Sequence, residues 1–217
     1  MRPLHELIRI DDRAFPLIRE WAGQAVRHVE LLPPSNQRAD VLRRTQVTTR
    51  STLGAIAYET GGIIVDHGWL RILGSGHPRL QRTLPDWNEG KASGFYLVAD
   101  DAVGGFYAIN GGSLGDEVKN VYYFAPDTLD WESLGRGYTD FLFWALTCDL
   151  QGYYESLRWP GCEKDVAALG GDEAFFFYPP LFTREGRQPG AHRAAVPIEE
   201  VWVMQMRLLE EIGPPPD

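Results

Sequence analysis

The sequence predicts an α+β chain built on a mainly antiparallel sheet, and three observations carry that expectation. Short aromatic runs at 95–99, 105–109 and 120–124 are separated by glycines and Asp/Asn pairs, the residues that tight hairpin turns need. Residues 63–66 and 69–73 flank His67 and Gly68 as one more hairpin, whose short turn has room for a bulge. Segments with apolar residues three and four apart open and close the chain, as amphipathic helices do.

Taken in order, Leu4, Leu7 and Ile8 keep helical spacing, and Asp11 or Asp12 can cap a second helix whose apolar face is Phe15, Leu17, Ile18 and Trp21. Residues 28–32 read as a short strand stopped by Pro33 and Pro34. Ser35 can cap a third helix running to Arg44. Residues 51–59 form a further short helix, ended by Gly61 and Gly62. Residues 138–150 read as a helix through Phe141, Trp144, Ala145 and Cys148, which places Trp144 and Cys148 on a buried face. Residues 153–159 suggest another helix, broken by Pro160 and Gly161. The apolar run 175–178 reads as a buried strand that joins the same sheet as 63–73 and 95–124. Residues 184–193 are polar and suggest an exposed loop. Pro197 suits the first turn of a final helix to Glu211, and the tail 214–216 should fray. No internal repeat, long linker or charge block interrupts residues 1–217, so one globular domain is the economical reading.

Composition bounds the function. The net charge of -9 speaks against a nucleic-acid role or an anionic membrane surface, both of which need a basic footprint. It permits a basic partner, because opposite charge speeds encounter. Two cysteines, Cys148 and Cys162, make no disulfide framework. Neither a signal-peptide pattern at the N-terminus nor an apolar run long enough to span a bilayer is present, so a cytoplasmic location is expected.

Motifs for chemistry are sparse. Gly74-Ser75-Gly76 followed by His77-Pro78-Arg79 resembles a phosphate-cradling loop only superficially: a third glycine and an immediate helix start are missing, and Pro78 removes a donor. His67 and His77 lie ten residues apart with neither HExxH nor paired CxxC, so no metal site and no cofactor are expected. Ser75 lacks a nucleophile-elbow setting. Asp100 and Asp101 are neighbours on a strand and point to opposite faces, which makes them poor acid–base partners. The strongest candidate binding surface combines Arg50, Trp69, Arg71, His77, Arg79, Trp87 and Asn88, since Arg and Trp are favoured interface anchors. Pro78 and Pro85 suggest that Arg79 and Trp87 sit on exposed loops. A structural hydrogen-bond network is the competing reading of the same residues.

Two resemblances add to this. Val-Thr-Thr-Arg-Ser-Thr-Leu-Gly-Ala-Ile-Ala-Tyr-Glu-Thr-Gly-Gly at 47–62, Gly-Ser-Gly-His-Pro-Arg at 74–79, Tyr-Tyr-Phe-Ala-Pro-Asp at 122–127 and Leu-Arg-Trp at 157–159 resemble the bacterial DUF2625 family over most of the chain. That resemblance implies no activity. The order Gly-Phe-Tyr-Leu-Val-Ala-Asp-Asp at 94–101, Gly-Gly-Phe-Tyr-Ala-Ile-Asn at 104–110, Val-Tyr-Tyr-Phe at 121–124 and Phe-Leu at 141–142 is similar to the SUKH (SMI1/KNR4-like) superfamily. It implies an α+β fold with a curved sheet backed by helices, and a non-enzymatic protein-binding role such as immunity against a bacterial toxin, the toxin being basic. The residues themselves leave two alternatives open. One is an enzyme or small-ligand binder using an Arg/His anion pocket near Arg50, Arg71 and His77. The other is a homo-oligomer.

Overall fold

Seven strands joined in sequence order form one antiparallel sheet, β1 to β7, in the computed structural model, which describes residues 1–91, 93–188 and 190–213. They are β1 (Val29–Leu32), β2 (Gly62–Val65), β3 (Leu70–Leu73), β4 (Phe95–Asp101), β5 (Phe106–Asn110), β6 (Asn120–Ala125) and β7 (Asp130–Gly137). The fold is α+β. Side chains alternate across a strand, so β5 and β6 send aromatic rings to both faces. Tyr107 and Tyr123 stack at 4.6 Å on one face, where Tyr107 meets Phe141 of helix α6 (Tyr138–Thr147) at 5.0 Å. Phe106 and Phe124 point the other way, and Phe106 meets Trp202 of the final helix, α9 (Ile198–Ile212), edge-on at 5.0 Å. Each such ring contributes about 1.5–3 kcal/mol of burial, so the centre of the sheet is the firmest part of the core.

The remaining helices are α1 (Leu4–Leu7), α2 (Phe15–Gly23), α3 (Arg38–Thr45), α4 (Thr52–Glu59), α5 (Leu84–Asn88), α7 (Leu150–Tyr153) and α8 (Cys162–Ala167). Ser51 caps α4 by accepting from Gly54 N at 3.1 Å. Ser35 does not cap α3. Its hydroxyl instead donates to the Ser75 carbonyl at 2.6 Å, tying the 74–79 loop to the segment before α3.

Several expectations are corrected. The 175–178 run is not part of the main sheet. It belongs to β8 (Glu173–Tyr178), which pairs with β9 (His192–Pro197) in a separate two-stranded sheet. Its antiparallel partner is the strand that follows it in the chain, β9, which runs back along it from His192 opposite Tyr178 to Pro197 opposite Glu173. Phe175 and Phe177 bury themselves on Trp159 at 5.3 and 5.8 Å rather than in the sheet core. The polar stretch 184–193 therefore already enters a strand at His192. Residues 153–159 are not one helix: α7 ends at Tyr153 and a single 3-10 turn follows at Glu155–Leu157. Helix α6 stops at Thr147, so Cys148 leaves the helix and is exposed, and Trp144 is half-buried. The tail 214–216 lies outside the described residues.

Candidate functional site

The β2–β3 connection is the most strained stretch of backbone next to a cavity. Asp66 and His67 both adopt left-handed backbone, with φ of 49° and 60°, and Gly68 follows at 107°. For residues carrying a Cβ that conformation costs about 1–2 kcal/mol each. Contacts hold the corner in place. Asp66 N donates to the His28 carbonyl at 2.8 Å, and Trp69 N donates to the Asp66 carbonyl at 3.1 Å. The buried Asp66 carboxylate pairs with Arg158 and, at 3.6 Å, with Arg27. The exposed His67 ring lies flat on His28, with centroids 4.7 Å apart and planes 11° apart.

A cleft of about 450 Å³ opens on one side of His67, between this corner, the 78–81 loop and the 167–173 turn. Arg71 forms part of its wall from β3. Its guanidinium is 1% exposed and pairs with Asp100 at 2.6 Å. Nη2 also donates to the Asp101 carbonyl at 2.6 Å, and Nη1 donates to the Glu173 carbonyl. Arg71 Nε finds no partner among the described residues. Arg82 completes the ion cluster behind the cleft. It pairs with Asp100 and, at 2.8 Å, with Asp172, and donates to the Gly171 carbonyl at 2.8 Å. Burial would lower the Arg82 guanidinium, but Asp100 and Asp172 outweigh it and hold the group above its ordinary value. Asp172 also accepts Gln81 N at 2.8 Å. Gly171 fits this strap because a Cβ there would come within 2.0 Å of the Arg79 carbonyl. Two arginines, the buried Asp100 and the half-buried Asp172 thus fix the 170–173 turn against β3, with Arg71 and Arg82 offsetting the desolvation of Asp100.

Asp101 sits behind the same wall and is fully buried. Burial pushes its carboxyl up to about 6, against the Tyr123 hydroxyl, the Gly105 and Val103 amides and the Arg71 charge, which all favour the ionised form. A second cavity, of about 480 Å³, lies on the other side of His67 and is bordered by Arg27, His28, Asp66, Asp149 and Glu163. Among the described residues no three His, Cys, Asp or Glu side chains are grouped as metal ligands. Cys148 and Cys162 are both free thiols. No helix among them is long and apolar enough to cross a membrane.

The seven residues singled out from sequence do not converge on one surface. Arg71 and Arg79 share the cleft. Arg79 is exposed at its rim and grips Glu30 through Nη1 at 2.7 and 2.8 Å. Arg50 is elsewhere, exposed and paired with Asp12 at 2.8 Å beside a different depression. His77 is half-buried, and its Nδ1 accepts Arg79 N at 3.2 Å. Trp69 is buried under the Arg158 guanidinium, which lies 4.2 Å from its ring. Trp87 is on a helix rather than an exposed loop, and is buried: Pro85 occupies the first turn of α5, where a missing N–H costs nothing. Asn88 is structural, donating to the Leu84 and Leu97 carbonyls and accepting Leu97 N. The polar side chains of the cleft absent from that set are His67, Gln81, Asp172 and Glu173. The Gly170-Gly171-Asp172 turn signal marks a bend without marking what it meets.

Comparison with other proteins adds kinship. The sequence model of a family described as "Protein of unknown function DUF2625" matches residues 4–201. A protein of Escherichia coli (strain K12) described as "Putative uncharacterized protein YbfG" is 44% identical over 214 residues, covering 97% of this chain and 98% of its own length. A Haemophilus influenzae (strain ATCC 51907 / DSM 11121 / KW20 / Rd) protein described as "Uncharacterized protein" is 39% identical over 189 residues, covering 83% of each chain. The match spans the strained corner, the 78–81 loop and the 167–173 turn alike, and the chain belongs to the DUF2625 family.

Proposed function

We propose that this protein binds a small polar molecule in the cleft beside His67. The observation that carries the reading is a preformed cleft of about 450 Å³ whose wall is fixed by the buried Arg71 guanidinium, held by Asp100 and two carbonyls, and whose rim carries the exposed Arg79. A preformed cleft with a few polar groups converging on it is the usual form of a small-molecule site. The strained corner presents an exposed imidazole at the same mouth, and strain of this kind clusters at ligand sites. A partner-binding module, the reading favoured by the SUKH resemblance, would have to anchor on residues other than Trp69 and Trp87, because both indoles are under cover.

The test is a thermal-shift screen of polar small molecules on the wild type and on Ala167→Trp, which plugs the cleft from an exposed position at the end of α8. Compounds that raise the wild-type Tm should lose their effect in Ala167→Trp. Hits that act equally on both proteins would contradict the reading.

A further inference from the structure

The charges around the cleft narrow the ligand class. Its lining holds two cations, Arg71 and Arg79, and two carboxylates, Asp172 and Glu173. A simple anion gains little from a balanced wall, and the net charge of -9 opposes its approach. The groups differ in how far they are committed. Asp172 is used on both oxygens, by Arg82 and by Gln81 N. Arg79 spends Nη1 on Glu30, and its other guanidinium nitrogens make no hydrogen bond among the described residues. Glu173 takes Gly170 N on Oε2 at 2.9 Å and forms no ion pair among the described residues, so Oε1 is spare. Arg71 is sealed within the wall, so what remains on offer is the outer face of the Arg79 guanidinium and one carboxylate oxygen. Ile64, Pro78 and Leu169 supply apolar wall between them.

Resting on the cleft reading above, we infer that the ligand is a small zwitterion of the α-amino-acid type, its carboxylate meeting Arg79 and its ammonium meeting Glu173. Guanidinium pairs carboxylate through planar, charge-assisted bonds, and a free carboxylate oxygen is the natural partner of an ammonium. The volume of about 450 Å³ is that of a small-molecule site rather than an inorganic-ion site.

The experiment is calorimetric titration of the full chain with the common L-amino acids. The binder is then compared with its N-acetyl and C-terminal amide derivatives and with inorganic phosphate. Losing either charged end should weaken binding by about tenfold or more, the value of one charge-assisted hydrogen bond. Glu173→Gln keeps an acceptor for Gly170 N and should abolish discrimination against the N-acetyl form. Arg79→Gln, at an exposed site, should reduce discrimination against the amide while leaving the fold intact. Two results would overturn the inference. One is undiminished discrimination in both variants; the other is no amino acid binding up to millimolar concentration. If other small molecules still bind and Ala167→Trp blocks them, the cleft reading survives and the zwitterion fails. If Ala167→Trp blocks nothing, both fail.

Discussion

His67 shows how a single residue can be held against its own preference. Its φ of 60° is one that glycine adopts without strain, and its ring is exposed, so little core packing depends on it. His67→Gly should therefore leave stability unchanged or raise it by up to about 1 kcal/mol, with the lost His28 stack as the opposing term. Urea unfolding checks this, and a loss of several kcal/mol would mean that the imidazole serves the fold. Asp101 makes a second, pH-dependent case. Its folded value of about 6 stands above the ordinary 3.8 of an aspartate, so the folded state binds the proton more tightly. Stability from this group is then greatest at low pH and declines as pH rises from about 4 to about 6. The deficit at neutral pH is on the order of 3 kcal/mol. Asp101→Asn keeps an acceptor for the Val103 and Gly105 amides and should flatten that part of the profile. Equal slopes for the two proteins between about pH 4 and about pH 7 would contradict the burial argument.

Among the elements, α5 is the instructive one. Thr83 accepts Asp86 N at 3.2 Å and donates back to the Asp86 carboxylate at 2.8 Å, which closes the first turn around Pro85. Trp87 then lies between Arg82, 4.6 Å from its ring, and Lys91, 4.4 Å from it. Trp87→Ala should cost about 3–5 kcal/mol of stability through the cavity it leaves, measurable by denaturant unfolding; a loss under about 1 kcal/mol would place the indole outside the core. The sequence carried this information in Thr83, Pro85 and Asp86, but a proline followed by an aspartate reads equally as a loop. Strand β7 escaped notice for another reason. Its Asp130, Glu132, Gly135 and Arg136 give no apolar alternation, because an edge strand with an exposed face needs none. Hairpins with aromatic faces, β4 to β6, were legible because local turn chemistry and burial pattern agree there.

At the scale of the whole molecule, the cleft joins three segments that local patterns cannot connect. Arg71 and the Glu173 carbonyl are 102 residues apart in sequence, and their hydrogen bond sets where the 170–173 turn sits. Arg71 and Arg79 could be nominated because Arg near a glycine-rich loop is a general signal of recognition. Asp172 and Glu173 could not, since a Gly-Gly-Asp turn is common and its docking site depends on the β8–β9 pair forming its own small sheet. Arg50 was misplaced because no local pattern shows that Asp12 holds it away from the cleft. The measurement that bears most directly on the cleft is amide chemical-shift mapping of the wild-type protein during titration with the compound that raises its Tm most. Binding in the cleft predicts shifts concentrated at His67, Gly68, Gln81, Gly170 and Gly171. Shifts confined to other surfaces, such as the exposed Phe143 and Tyr153, with those five amides unmoved, would contradict it.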